Sequence, residues 1–276
     1  MMQIHGKEIT TIISDLDGTL LGQEEGPQEQ RRELNPAVFG LIRRLEEKGV
    51  SFVAASGRQY KNMRLLFEPI VKGHPFVCEN GSVIVKDEEI IYAGYIPREL
   101  CFALLDDMLS MPGAETIVSS EMSIYTLADR ESFIERMNKF LRPRVEVIED
   151  YSQIEGRINK ISIWWPDGIP EKEEKWFHEK YDDKLQATDS GNGWLDFTMK
   201  HVNKGTALQR LAELEGFSLE EALCFGDSEN DVTMFRECGI SYAMSMSREH
   251  VKAEADYVCT DVIETLRSFL AEDGTE

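Results

Sequence analysis

A chain of 276 residues is long enough for one large core or for two domains, and 42% apolar with 29% charged residues is ordinary globular composition. Against 51 acidic residues there are 30 basic ones, a formal net charge of −21, which repels nucleic-acid backbones and anionic membrane surfaces and excludes both as expected partners. No segment approaches the ~18 apolar residues that span a bilayer, and Met1 to Glu8 lack the basic start and apolar core of a secretion signal, so a cytoplasmic location is expected.

In chain order, the apolar run Ile9 to Ile13 reads as a strand that leads into Ser14-Asp15-Leu16-Asp17-Gly18-Thr19. After a polar, acidic loop over 22–34, expected to be mobile, Asn35 caps a helix over 35–49, with Pro36 at its first position and Val38, Leu41, Ile42 and Leu45 on one face. A strand (50–55), a helix (58–70) and a strand (76–79) follow. From 204 onward the alternation resumes: helix 205–215, strand 222–226, helix 229–237, strand 240–244, helix 248–254, strand 256–259 and helix 261–271. Such alternation predicts a parallel sheet with covering helices.

Between these blocks lies a different pattern. Short strands are expected at 82–86, 89–92, 116–119, 123–127, 145–148, 160–165, 184–188 and 194–199, with helices near 98–110, 130–141 and 171–181. This is the content of an α+β domain whose antiparallel sheet carries helices on one face. Ser190 to Gly193 reads as a hairpin turn, because Asn-Gly favours positive φ and no helix follows it. Extended backbone sends Trp164 and Trp165 to opposite faces, so one is expected in the core and the other at a cleft or contact surface. The charged run Glu171 to Lys175 is a solvated helix face.

The five cysteines are scattered, with no Cys-x-x-Cys pair, which argues against a disulfide framework or a zinc site; Cys78, Cys224 and Cys259 read as buried free thiols. The histidines have no metal-ligand spacing, and His201 reads as a helix-entry or surface residue.

Chemistry concentrates at Asp15 and Asp17. Two residues apart at a strand end, they face the same side if the chain stays extended, and the repulsion between them is relieved by a hard divalent cation, which prefers oxygen ligands. Gly18 allows a sharp turn and Thr19 offers a hydroxyl. An Asx turn with solvated carboxylates is the competing reading of this segment taken alone.

Three further segments bear on that choice. The string DLDGTLL at Asp15 to Leu21 resembles the first motif of the haloacid dehalogenase-like superfamily of phosphatases and phosphotransferases. Ser56 in Ser56-Gly57-Arg58 resembles the second motif, Lys204 in Asn203-Lys204-Gly205 the third, and Gly226-Asp227-Ser228-Glu229-Asn230-Asp231 the fourth. Their order along the chain is that of the family, and an insert between the second and third motifs resembles the type IIB cap of the Cof-like branch.

The resemblance implies an α/β fold: a Rossmann-like parallel-sheet core (1–83 and 199–276) with an inserted α+β cap (84–198) that sets substrate specificity. By the same resemblance Asp15 attacks phosphorus, and Asp17 protonates the leaving oxygen and then activates water. Mg²⁺ is held by Asp15, the main-chain carbonyl of Asp17, and Asp227. Asp231 and Asn230 support that shell or touch phosphoryl oxygens, Ser56, Gly57 and Lys204 bind the phosphoryl group, and Asn80 in Glu79-Asn80-Gly81 contacts substrate beside a hinge at Gly81. The implied activity is Mg²⁺-dependent hydrolysis of small phosphorylated metabolites, sugar phosphates first, through an aspartyl phosphate. Phosphomannomutase-like phosphotransfer is the alternative, and a ligand-binding protein on the same fold is a reading from another class.

Overall fold

Six strands run parallel side by side because each is a short apolar stretch that a helical segment carries back to the same starting edge. A computed structural model describes residues 1–21, 33–121, 123–127, 131–140 and 145–272. The chain forms two compact units, Met1–Tyr92 with Lys204–Glu276, and Ala93–Asn203. The acidic loop expected at 22–34 lies, over 22–32, outside the described residues.

In the first unit the sheet order is Tyr257–Cys259, Ile240–Met244, Ala222–Gly226, Thr11–Ser14, Ser51–Ala55, Phe76–Cys78, Val83–Lys86, Glu89–Ala93. The first six are parallel, and Val83–Lys86 turns back antiparallel on Phe76–Cys78. Chain order moves outward from Thr11–Ser14 in one direction and outward from Ala222–Gly226 in the other. The boundary between these two strands is therefore the topological switch point, where α/β sheets place their sites. Both sheet faces are covered, one by a cluster around Ile12, Phe52, Leu41 and Leu266, the other by one around Ile13, Val53, Leu208 and Phe235. The helix Ala37–Glu47 buries the four apolar residues of its expected stripe; each such side chain contributes about 1.5–3 kcal/mol by leaving water. Asn35 accepts from the Ala37 amide (3.0 Å) and Pro36 has helical dihedrals, as the capping pattern predicts.

The second unit has a six-stranded sheet in the order Glu146–Val147, Ile124–Thr126, Glu115–Ser120, Ile158–Trp164, Trp194–Met199, Leu185–Gly191. All its pairings are antiparallel except the first, which is parallel. The helices Arg98–Leu109 and Glu171–Tyr181 pack Leu104, Leu105 and Phe177 onto the face made by Val118, Ile161, Ile163 and Phe197. The third helix, Glu131–Phe140, departs from the one-face expectation. Its Phe133 and Met137 lie with Ile117, Ile124 and Trp164, residues that alternate with the first set and so belong to the opposite face. Both tryptophans are consequently buried, Trp165 under the first two helices and Trp164 stacked 5.5 Å from Phe133; neither is an exposed cleft residue. The remainder of that second face is polar, with Asp196 accepting from Ser162 (2.6 Å) and Ser190 (2.9 Å). The Asn192-Gly193 turn has φ of 52° and 83°, the expected positive values.

Two differences from the sequence pattern concern boundaries. The strands at 83–86 and 89–93, placed in the insert when its start is set at residue 84, extend the sheet of the first unit instead. A reversal at Glu79–Gly81, all three residues at positive φ, brings the chain back against Phe76–Cys78 before it leaves that sheet. At the N-terminus, Met2–Ile4 and Lys7–Ile9 form an unanticipated hairpin around His5 and Gly6, both at positive φ. All five cysteines are free and buried, and His201 is exposed. Among the described residues no helix is long and apolar enough to cross a membrane.

Candidate active site

The switch point fixes the first two groups of the site. Thr11–Ser14 pairs with Ala222–Gly226 in register (Ile13 with Cys224, Ser14 with Phe225), and the Asp15 amide donates to the Phe225 carbonyl at 2.9 Å. The strand stops there. Residues 16–20 coil tightly, with Leu16 and Leu20 anchored in the core, and Asp17 (ψ 114°) and Gly18 (φ 85°) break the helical path. An extended chain would set the carboxylates of Asp15 and Asp17 side by side, but the early turn separates them. Asp15 is 4% exposed, whereas the side chain of Asp17 is 53% exposed and stands in an ion pair of its own.

Lys204 joins Asp15 from the other end of the chain. It opens the helix Lys204–Glu215, and its ammonium donates to Asp15 Oδ1 and Asp231 Oδ1, both at 2.6 Å. Burial works against a charged lysine here, but the two carboxylates outweigh it and hold the pKa above the ordinary value. Asp231 uses its second oxygen to accept from the Asp227 amide (2.8 Å) and the Ser228 amide (3.0 Å), closing a capping box over the turn that presents Asp227. Gly226 is required beneath it, since a Cβ would lie 2.6 Å from Asp231 Cγ.

Three carboxylates, those of Asp15, Asp227 and Asp231, thus have ligand atoms within 4.8 Å of one another. Burial first, then Asp231 and Asp227, raise the Asp15 pKa well above the carboxylate range despite Lys204. Burial and Asp231 push Asp227 up to about 7. One ammonium does not balance three carboxylates. Moreover, Asp15 Oδ2 and Thr19 Oγ1 are buried without a hydrogen-bond partner among the described residues. An all-oxygen donor set with excess negative charge and an unused buried oxygen fits a hard divalent cation such as Mg²⁺, and nothing in the cluster offers sulfur or imidazole. The Asp17 carboxylate is not part of this cluster.

Gly18 is the tightest point of the turn. A Cβ there would lie 2.7 Å from Asp227 Cγ, at a φ of 85° that L side chains rarely adopt. Gly18→Ala is expected to cost about 1–3 kcal/mol of stability and to displace Asp227; thermal unfolding together with metal affinity measures both effects.

The remaining predicted residues converge from neighbouring strand ends. Ser56 follows Ser51–Ala55, is 1% exposed, and its Oγ accepts from the Arg58 amide at 3.2 Å. Asn80 donates its amide to the Ser56 carbonyl (3.1 Å), and its Oδ1 accepts from Asn230 Nδ2 at 3.0 Å. Asn230 Oδ1 is left buried and without a partner among the described residues. Gly57 sits where a Cβ would come within 2.9 Å of Asn80 Oδ1. Asp15 and Ser56 follow adjoining strand ends of one sheet, Asp227, Asn230 and Asp231 lie in the turn after a third strand, and Lys204 joins them from the start of a helix, with Asn80 tied to Ser56 and Asn230. Arg58 had no expected role. Its Nε and Nη2 donate to Asp17 Oδ2 (2.7 Å) and Oδ1 (2.5 Å), a fork on the carboxylate. The signal in the sequence was a cation two residues after the second-motif serine.

Comparison with known proteins follows the same line. Residues 12–265 match the model of the haloacid dehalogenase-like hydrolase family. A 5-amino-6-(5-phospho-D-ribitylamino)uracil phosphatase of Escherichia coli is 27% identical over 249 residues, 90% of each chain. One of Bacillus subtilis is 26% identical, covering 93% of this chain and 92% of its own. Among solved structures, SMU.1108c of Streptococcus mutans is 26% identical with a TM-score of 0.84, over 96% of this chain and all of that one. The chain belongs to the haloacid dehalogenase-like hydrolase family, and its inserted α+β unit occupies the position in the chain of a Cof-like cap.

Proposed function

We propose that the protein is a Mg²⁺-dependent phosphatase that hydrolyses small-molecule phosphate monoesters through an aspartyl phosphate, with sugar phosphates and similar polyol phosphates as the first substrates to test. The observation that carries this reading is the buried arrangement at Asp15: one oxygen on Lys204, the other without a partner among the described residues, with Asp227 and Asp231 alongside. A solvated Asx turn gains nothing from such burial, which costs several kcal/mol for charged groups without a ligand.

In this reading Asp15 attacks phosphorus while the bond to the leaving oxygen breaks, and Asp17 gives that oxygen a proton. Asp17 then takes a proton from the water that attacks the phosphorylated Asp15, releasing inorganic phosphate and restoring the carboxylate. Lys204, Ser56, the Gly57 backbone and Asn230 hold the phosphoryl oxygens, where charge spreads in the transition state. Asp15, Asp227 and the Asp17 carbonyl would hold Mg²⁺, and Asp231 orients Asp227 for it. When bound, the ion supplies neutralisation of phosphoryl charge and of the carboxylate excess. The insert, proposed as 84–198 with its folded unit at Ala93–Asn203, reads the leaving group, and Asn80 takes part from the core. Relatives that act on a ribityl phosphate at 26–27% identity support a polyol ester.

The test is release of inorganic phosphate from a panel of sugar, polyol, nucleotide and vitamin monoesters with Mg²⁺ present. Turnover of at least one ester is expected. Isomerised sugar phosphate without release would favour phosphotransfer, and ligand binding without any turnover would favour a binding protein.

The metal has a readout apart from turnover. Mg²⁺ added to metal-free protein should raise Tm, by the equivalent of about 2.7 kcal/mol at a hundred times Kd. Asp227→Asn should blunt the rise. An unchanged Tm over a wide Mg²⁺ range would refute the site.

A further inference from the structure

We propose that Arg58 is a positioning residue that sets the rate of leaving-group departure by holding the Asp17 carboxylate in a fixed orientation. The inference rests on the phosphatase reading above and extends it to a residue with no role there.

Asp17 is the exposed member of the aspartate pair, and among the described residues its carboxylate receives hydrogen bonds from Arg58 alone. A half-exposed aspartate samples several rotamers. A proton donor, by contrast, works only when held within hydrogen-bond reach of the leaving atom, and small misplacement costs large factors in rate. The guanidinium fork meets both carboxylate oxygens, at 2.7 and 2.5 Å, and so fixes the carboxylate plane as well as its position. Each oxygen keeps a further lone pair for a proton, so the clamp does not block proton transfer. Arginine is also unable to lose its own proton, which makes it a support that does not compete with Asp17 as an acid.

The clamp is itself anchored. The Arg58 amide donates to Ser56 Oγ (3.2 Å), and its carbonyl accepts from the Glu79 amide (3.0 Å). Asn80, next in sequence, donates to the Ser56 carbonyl at 3.1 Å. The backbone that carries Arg58 is thus tied to the phosphoryl-binding serine on one side and to the Glu79–Gly81 reversal on the other. The Arg58 side chain, only 23% exposed, reaches from that support to Asp17.

The experiment uses full-length protein with Mg²⁺ and compares wild type, Arg58→Ala, Arg58→Lys, Asp17→Asn and the Arg58→Ala/Asp17→Asn double variant. Two esters serve as probes: p-nitrophenyl phosphate, whose phenolate leaves without a proton, and the fastest alkyl monoester of the panel above, whose alkoxide needs one. The quantity read is kcat/KM, which reports steps up to departure of the leaving group. Arg58→Ala is expected to lose ~10²-fold on the alkyl ester, the scale of general acid catalysis, and less than ~5-fold on the aryl ester. On the Asp17→Asn background it should cost less than ~3-fold more, because residues that act as a unit are not additive. Arg58→Lys, which keeps charge and loses the fork, should fall between wild type and Arg58→Ala, and it carries the comparison if the alanine variant does not fold. Equal losses on both esters, a full additional loss on the Asp17→Asn background, or wild-type alkyl turnover in Arg58→Lys would each overturn the proposal while leaving the phosphatase reading intact. A wild-type protein without turnover on any ester would instead defeat the phosphatase reading.

Discussion

Asp15→Asn should lower turnover by ~10³-fold or more, the scale of a lost nucleophile, in a protein that still folds. Asparagine keeps the shape of the side chain at the end of Thr11–Ser14, and the Asp15 amide bond to the Phe225 carbonyl does not depend on it. The neutral side chain gives up the charge-assisted bond from Lys204 but also relieves repulsion from Asp231 and Asp227, the two carboxylates that raise the Asp15 pKa. These effects oppose each other, so Tm should move far less than activity. Chemistry has no such compensation, because an amide oxygen is a poor nucleophile toward phosphorus. A folded Asp15→Asn protein that keeps a tenth of wild-type turnover would remove the nucleophile assignment.

Much of this site was legible in the sequence because its chemical groups, Lys204 at a helix start apart, follow apolar runs. Ile9 to Ile13 and Ala222 to Gly226 are too apolar for a surface and too short for a buried helix, so they read as parallel strands, and the polar residues after them fall at the sheet's carboxyl edge. Less legible were the features set by where the chain stops being extended. Asp15 and Asp17 share a face only while the strand continues, and the turn at 16–20 ends it one residue too early. The fork from Arg58 to Asp17 spans 41 residues and the ammonium of Lys204 reaches Asp15 across 189, separations at which no local periodicity carries information. The helix Glu131–Phe140 had a clear apolar stripe, but which sheet face it covers depends on the register of Ile117 and Ile124. Where the first sheet ends was less legible for a related reason: Val83–Lys86 is a short, mostly apolar stretch like other strands, and only its pairing with Phe76–Cys78 assigns it to the first sheet.

Lys204→Met tests the electrostatic balance on which the whole arrangement depends. Methionine is an unbranched side chain one atom shorter than lysine and removes the charge from a position with no solvent exposure, so most of the packing along the stem is preserved. Lost are two charge-assisted hydrogen bonds at 2.6 Å, leaving Asp15, Asp227 and Asp231 together without a fixed cation. Removal of one partner from a buried pair costs about 3–5 kcal/mol, mostly as the penalty on the abandoned charges, which for a protein of this size is a fall of ~10 °C in Tm. Uptake of a proton by one of the carboxylates limits the loss. Added Mg²⁺ should recover part of the Tm, since it balances the same excess charge, while turnover should stay near background because the transferring phosphoryl group has lost its ammonium. Lys204→Arg separates charge from shape: the charge survives, but the larger head in a filled space should cost about 1–3 kcal/mol. A Lys204→Met protein with unchanged Tm in the absence of metal and substantial turnover in its presence would show that the ammonium neither holds the three carboxylates together nor meets the phosphoryl group.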